Sequence, residues 1–152
     1  MKPVLKVPQR VHHGLLLMTA LARAFGTGQA VTLEQVAAQE GISQGFLEEI
    51  AGRLRRAGFI VGRRGKAGGY VLARDPRRIS VGEVITALEG PVALVECLGE
   101  AGGCPRAASC LSKNVWWRVQ SEIARLLDSM TVAAVAGADR RKRRPAARRA
   151  KK

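Results

Sequence analysis

The chain has 152 residues, 47% of them hydrophobic, which is enough to bury the core of one ordinary domain without disulfide staples and too apolar for a disordered polymer. It carries 26 Lys and Arg against 12 Asp and Glu, a net charge of +14, and an excess of that size points to a polyanionic partner. Its three cysteines all fall between positions 97 and 110; an odd set confined to one short segment excludes a secreted disulfide scaffold. The charge is unevenly spread. Residues 140–152 hold nine Lys and Arg and no acid, so the body before them carries only +5.

Near the start, Lys2, Lys6 and Arg10 precede a Leu-rich run that ends at Ala22, Arg23 and Ala24, the outline of a signal peptide. The run covers only Gly14 to Ala22 and follows His12 and His13, while Val11, Leu15, Met18, Ala22 and Phe25 recur at steps of four and three. That is one stripe of an amphipathic helix, too short to cross a bilayer. The chain reads as soluble and cytoplasmic, with no membrane partner.

The first helix is predicted from about Pro8 to Phe25, broken by Gly26, Thr27 and Gly28. Thr32 and Gln35 form a capping box that opens a short helix through Gln39, stopped at Gly41. Ser43 then caps a third helix, with Leu47, Ile50, Leu54 and Ala57 as its apolar stripe and Gly58 as its end. A short helix, a tight Gly-containing turn of about four residues and a longer helix make a helix-turn-helix. Phe59 to Val61 and Tyr70 to Ala73 are strand-like runs around the glycine- and cation-rich segment GRRGKAGG at 62–69, a β-hairpin that makes a wing. Ser80 and Glu83 form a second capping box for a helix carrying Val81, Val84, Ile85 and Leu88 up to Gly90 and Pro91.

After a Gly-rich cysteine loop, a long helix from about Lys113 to Met130 carries Trp116, Val119, Ile123, Leu126 and Met130 at seam spacing, with Trp117 and Leu127 beside them. That apolar face is wide for the end of a small domain. A dimer contact explains it; packing on the first helix of the same chain is the alternative. Thr131 caps a last short helix before Gly137, and the Arg, Lys, Ala and Pro residues that follow have nothing to bury and are expected to be disordered. The fold class is mainly α: a winged helix-turn-helix domain (1–90), a cysteine loop (91–112), a dimerisation helix with a short last helix (113–137) and a basic tail (138–152).

Ser43, Gln44, Gly45 and Phe46 stand at the start of the third helix, where the hydroxyl and amide can reach base edges or phosphates. The same geometry also occurs as plain packing. Arg53, Arg55, Arg56, Arg63, Arg64 and Lys66 crowd into fourteen residues of chain, which favours DNA over a merely solvated basic face. Gly65, Gly68 and Gly69 would let the hairpin approach a phosphate ridge or a narrow minor groove, with Arg64 as the inserted cation; an ordinary flexible turn explains the glycines but not the cations. Cys97, Cys104 and Cys110, separated by six and five residues with Gly99, Gly102 and Gly103 between the first two, can wrap one metal centre. Their spacing is not that of a zinc ribbon, which makes structural zinc a weaker reading; a thiol redox switch and inert buried cysteines are the further alternatives. No nucleophile–base set, phosphate loop or paired carboxylates suggest an enzyme.

The run ISQGFLEEIAGRLRRAGFIVGRRGKAGGYVLARDPRRISVGEVITALEG, followed by Cys97, Cys104, Cys110 and Trp116, resembles the Rrf2 family of bacterial winged-helix regulators. The resemblance covers about residues 4 to 136, is most specific in RGKAGGYVLA and the three cysteines, and is absent from the tail. It implies a homodimer crossed through the long helix, bound to a roughly palindromic double-stranded DNA operator, whose affinity is set by an iron-sulfur cluster on Cys97, Cys104 and Cys110. It also puts Ser43, Gln44 and Gly45 in the major groove, Arg64 in the minor groove and Glu48 in site discrimination. The full DNA-binding set expected is Ser43, Gln44, Gly45, Phe46, Glu48, Arg53, Arg63, Arg64, Lys66 and Tyr70. One departure matters: where the two-iron member of the family has a histidine three positions after its last cysteine, this chain has Lys113, a poor ligand when protonated. His12 matches the N-terminal carboxylate ligand that other members supply across the dimer, so an imidazole there is the expected fourth donor, with His13 beside it. The expected cofactor is a two-iron cluster in preference to a four-iron one, responding to redox state, nitric oxide or iron-sulfur supply. A thiol-based or cluster-free regulator of the same fold is the rival, and a small iron-sulfur electron carrier a more distant one.

Overall fold

Six α-helices and one hairpin follow from the local signals above, seen in a computed structural model that describes residues 5–98 and 104–142. The helices are α1 (Gln9–Ala24), α2 (Leu33–Glu40), α3 (Gln44–Arg56), α4 (Val81–Glu89), α5 (Lys113–Ser129) and α6 (Val132–Lys142), and the strands are β1 (Ile60–Arg63) and β2 (Gly69–Leu72). Thr32 Oγ1 accepts from the Gln35 N–H at 3.1 Å while Gln35 Oε1 accepts from the Thr32 N–H at 3.1 Å, so both orphan donors at the start of α2 are satisfied. Gly41 ends α2 at φ 66°, the left-handed region that a side chain resists. Ser43 Oγ then accepts from the Phe46 N–H at 3.3 Å and starts α3.

The core lies where α1, α3 and α4 converge. Leu17, Met18 and Leu21 of α1 meet Val36 of α2, Leu47, Ile50 and Leu54 of α3 and Val84 and Leu88 of α4, all of them fully buried. Gly14 permits the close crossing of α1 on α4, because a Cβ there would stand 2.3 Å from Leu88 Cδ1. The hairpin pairs Ile60 with Leu72 and Arg63 with Gly69 in antiparallel register. The pairing does not stop at two strands. Val31, just before α2, exchanges both backbone bonds with Tyr70, at 2.9 and 2.8 Å, and so adds a one-residue third strand to the wing.

Beyond a 3-10 turn at Pro76–Arg78, α4 opens with the expected box, Glu83 N–H to Ser80 Oγ at 3.0 Å and Ser80 N–H to Glu83 Oε2 at 2.7 Å. The Ser80 N–H and the Arg74 guanidinium hold the Glu83 carboxyl below its ordinary range. The α5–α6 junction is laced to this point by Val81 N–H to the Met130 carbonyl (2.8 Å) and Val132 N–H to the Ile79 carbonyl (2.9 Å). α6, rather than α5, covers α1, burying Val132 and Ala136. It also passes Gly137, where the sequence reading ends it, and continues to Lys142; Ala, Arg and Lys are good helix formers, and one glycine costs only about 1 kcal/mol. The expected disorder of the basic tail after Lys142 falls on residues 143–152, outside the described residues.

α5 rests on α4 and buries none of its own residues fully. Trp116 is 41% exposed, Trp117 60% and Leu126 61%, so much of the apolar seam read from the sequence faces outward. Among the described residues no helix is long and apolar enough to cross a membrane.

Candidate nucleic-acid interface and thiol segment

The start of α3 and the wing stand side by side across a groove of about 610 Å³, lined by the α2 cap Thr32, Glu34 of α2, Gln44 and Glu48 of α3, and Arg63, Gly69 and Tyr70 of the wing. Ser43, Gln44, Gly45 and Glu48 are exposed there, and Gln44 Nε2 donates to Glu48 Oε1 at 3.1 Å, one turn along the helix. Gly45 has no steric reason internal to this chain, since an added Cβ would meet nothing within 4 Å. Arg64 and Lys66 project from the exposed tip, and neither has a hydrogen-bond or ion-pair partner among the described residues. The two glycines beside them do have steric reasons. A Cβ on Gly68 would lie 2.7 Å from the Arg63 carbonyl oxygen, and one on Gly69, at φ 144°, 2.6 Å from the Val31 carbonyl oxygen.

Other members of the expected set are engaged inside the protein. Arg63 donates from Nη1 to the Gly28 carbonyl at 3.0 Å and braces the wing against the loop after α1. Arg53 donates to the Leu88 carbonyl at 3.3 Å and pairs with Glu49 at 3.5 Å, tying α3 to the end of α4. Phe46 is turned inward, its ring edge-on to His13 of α1 with centroids 5.5 Å apart. Tyr70 is half-buried and carries the bridge to Val31. Sequence reasoning missed Arg10, which joins three helices by reaching Glu49 of α3 at 3.2 Å and Glu89 of α4 at 2.6 Å; a lone cation on a helix face gives no sign of partners so far along the chain. It missed Val31 too, although a β-branched residue just before a helix cap was a weak signal.

The three cysteines are free and half-buried. Cys97 sits on a 3-10 turn at Glu96–Leu98 and Cys110 just before α5, while residues 99–103 between them lie outside the described residues. The Ser112 hydroxyl, 3.4 Å from Cys110 Sγ, and the backbone N–H groups of Ser112 and Lys113 hold the Cys110 thiol below its ordinary range, and the Lys113 ammonium adds to this. Three such thiols suit a soft metal centre in kind. Among the described residues they are not gathered with other donors into a group of three or more. His12 is exposed on α1, its ring 5.4 Å from that of His13.

Known proteins agree with this outline. The family profile described as Rrf2, iron-dependent transcriptional regulator, matches residues 7–138. The protein Rrf2 of Nitratidesulfovibrio vulgaris is 36% identical over 129 residues, covering 85% of each chain. The transcriptional regulator CymR of Bacillus subtilis is 33% identical over 128 residues, 84% of this chain and 87% of that one. Among solved structures, IscR of T. potens superposes with a TM-score of 0.78 at 33% identity, covering 95% of both chains. A winged helix-turn-helix, a matching profile over most of its length and relatives at this level of identity place the chain in the Rrf2 family of DNA-binding transcriptional regulators.

Proposed function

We propose that this protein is a cytoplasmic, homodimeric regulator whose affinity for a palindromic operator is set by an iron-sulfur cluster held on Cys97, Cys104 and Cys110. The carrying observation is the groove in which the start of α3 and the wing face one another across Glu48 and Gly69, a shape that fits one helix in a major groove with a wing on the backbone beside it. Ser43, Gln44 and Gly45 take the phosphates and base edges. Glu48 selects against bases that offer it no donor. Arg64 and Lys66 are the wing's free cations, whereas Arg53, Arg63, Phe46 and Tyr70 act from behind, by holding α3 and the wing in place. Three thiolates and the His12 imidazole form a donor set that suits an iron-sulfur centre, and such a centre changes charge and ligation with redox state or nitric oxide. Those thiols and the family profile described as iron-dependent support that assignment. The depressed Cys110 thiol supports a second reading, a regulator switched by thiol oxidation. One relative by structure is an oxidised form of Staphylococcus aureus CymR.

The deciding experiment is an absorption spectrum of the anaerobically purified chain together with operator binding before and after exposure to nitric oxide. Visible charge-transfer bands that vanish in each of C97A, C104A and C110A, with affinity following the bands, support the cluster. A colourless protein whose affinity follows reversible thiol oxidation establishes the second reading instead. His12→Ala is expected to keep a cluster that is more labile and altered in spectrum; an unchanged spectrum and response would remove His12 from the ligand set.

Two further results are expected at the interface. Gly45→Ala should stabilise α3 by about 0.5 kcal/mol, the gain of Ala over Gly in a helix, yet weaken DNA binding, because its Cβ meets nothing within 4 Å among the described residues and faces the proposed DNA contact. A thermal melt and a binding titration on one preparation check both halves. Arg64→Ala should cost about 1–3 kcal/mol on the operator and little on random duplex, whereas Lys66→Ala should weaken both alike. Equal losses in both variants would remove the distinction.

A further inference from the structure

Arg63 and Tyr70 line the groove beside α3, and both also line a second cavity, of about 240 Å³, between the wing and the end of α1. Leu21 of α1 and Leu72 of β2, both buried, give this cavity an apolar floor. Phe25, 44% exposed, and the half-buried Tyr70 supply two aromatic rings. Among the described residues that line it none is acidic, and Arg63 is its one charge. An apolar hollow with one convergent charged group is the usual build of a small-molecule site. Its size is also informative: a dry cavity of about 150 Å³ walled by aliphatic and aromatic side chains takes up benzene, so this one has room for such a ring with a carboxylate beside it.

We propose that this cavity binds a small aromatic carboxylate, its ring over Leu21 and Leu72 between Phe25 and Tyr70, and its carboxylate on Arg63. One guanidinium N–H is taken by the Gly28 carbonyl at 3.0 Å. A guanidinium has four more donors in the same plane, a fork that matches the two oxygens of a carboxylate. An amine of the same size would meet the Arg63 charge with no acid to offset it. An aliphatic acid would satisfy Arg63 but forgo the ring-to-ring contacts that Phe25 and Tyr70 offer. Occupancy reaches the DNA groove because the two sites share Arg63 and Tyr70. The ligand fills the space between the wing and the loop to which Arg63 fastens it, favours the arrangement in which the wing stands opposite α3, and so strengthens operator binding. That last step rests on the DNA-binding reading above; the site itself does not.

The test is calorimetric titration of the full chain with benzoate, against acetate, cyclohexanecarboxylate and benzylamine at equal ionic strength, with thermal melts alongside. One benzoate should bind per chain with a dissociation constant of about 1 mM or below, and about 10 mM benzoate should raise the melting temperature by about 3–6 °C. The three comparison compounds should bind at least about tenfold more weakly, the loss of one good contact. Ala24→Leu, which fills the cavity from α1, and Arg63→Gln, which removes its charge, should each abolish the response to benzoate. On the duplex that the chain selects from random DNA, saturating benzoate should tighten binding by about fivefold or more, and Ala24→Leu should lose that gain. A parent chain that binds benzoate no better than acetate overturns the site without recourse to either variant. Benzoate bound equally well by a folded Ala24→Leu chain overturns its location, and binding that leaves operator affinity unchanged overturns the link to DNA. If no sequence is selected at all, the reading of the groove fails, and the calorimetry still decides the site.

Discussion

Gly69→Ala should lower stability by about 2–3 kcal/mol and remove most operator affinity, making it the most damaging methyl group that can be added to the wing. Two effects coincide at this position. The backbone stands at φ 144°, which L side chains rarely adopt, and the new Cβ would be 2.6 Å from the Val31 carbonyl oxygen and 2.8 Å from its carbon. Neither atom can step aside without breaking the Val31–Tyr70 pair, whose bonds measure 2.9 and 2.8 Å. Gly65→Ala is the control: it has a positive φ of 107° but open space around it, so it carries only the backbone penalty, about 1 kcal/mol. Denaturant melts and hydrogen exchange of the Val31 and Tyr70 amides check this. A Gly69→Ala protein as stable as its parent, with those amides still protected, would refute the account.

Leu126→Asp should separate the proposed homodimer and reduce operator affinity by 100-fold or more, roughly 3 kcal/mol, since a single reader then binds a single half-site. α5 leaves Trp116, Trp117 and Leu126 widely exposed, and a helix with no fully buried residue draws little stability from its own chain. An apolar seam of this kind is a surface made to be covered, and buried Trp side chains are common anchors of such contacts. Trp116→Ala should act in the same direction, less completely. Sedimentation at micromolar concentration reads the outcome; a monomeric parent, or a Leu126→Asp chain that stays dimeric on the same interface, would end the assignment.

Helix starts were the most legible part of the sequence. Thr32, Ser43 and Ser80 each lie at the cap that was read for them, because a cap is a contact between residues three apart and needs nothing from the rest of the fold. The wing was legible as a hairpin but not as a sheet, since its third strand comes from Val31, some forty residues earlier in the chain. Candidate DNA contacts were read as one basic cluster, and the structure divides them: Arg64 and Lys66 stay free, while Arg53 and Arg63 are spent on backbone carbonyls 35 residues away in sequence. No periodicity reports such a pairing. α6 was cut short because Gly137 looks like a stop, although the helix beyond it has the composition to continue. At Lys113 the sequence shows only the lack of an imidazole. The structure adds that its ammonium and backbone N–H favour the thiolate of the neighbouring Cys110.

The pairing of Val31 with Tyr70 bears on how such a molecule can be switched. Val31 leads directly into the cap of α2, and Arg63 fixes the other side of the wing to the loop at Gly28, so hairpin, α2 and α3 move as a single reading head. If the cysteines carry the signal, as proposed, it has little to gain by bending the wing or tilting α3 within one chain. What it can alter is the separation and relative rotation of two such heads in the proposed homodimer, and DNA is unforgiving there: half-sites repeat every 34–36 Å, and a rigid head that misses that spacing by a few ångströms loses its grip on one of them. Control of this kind needs no disorder in the reader, only two rigid parts and an adjustable distance between them.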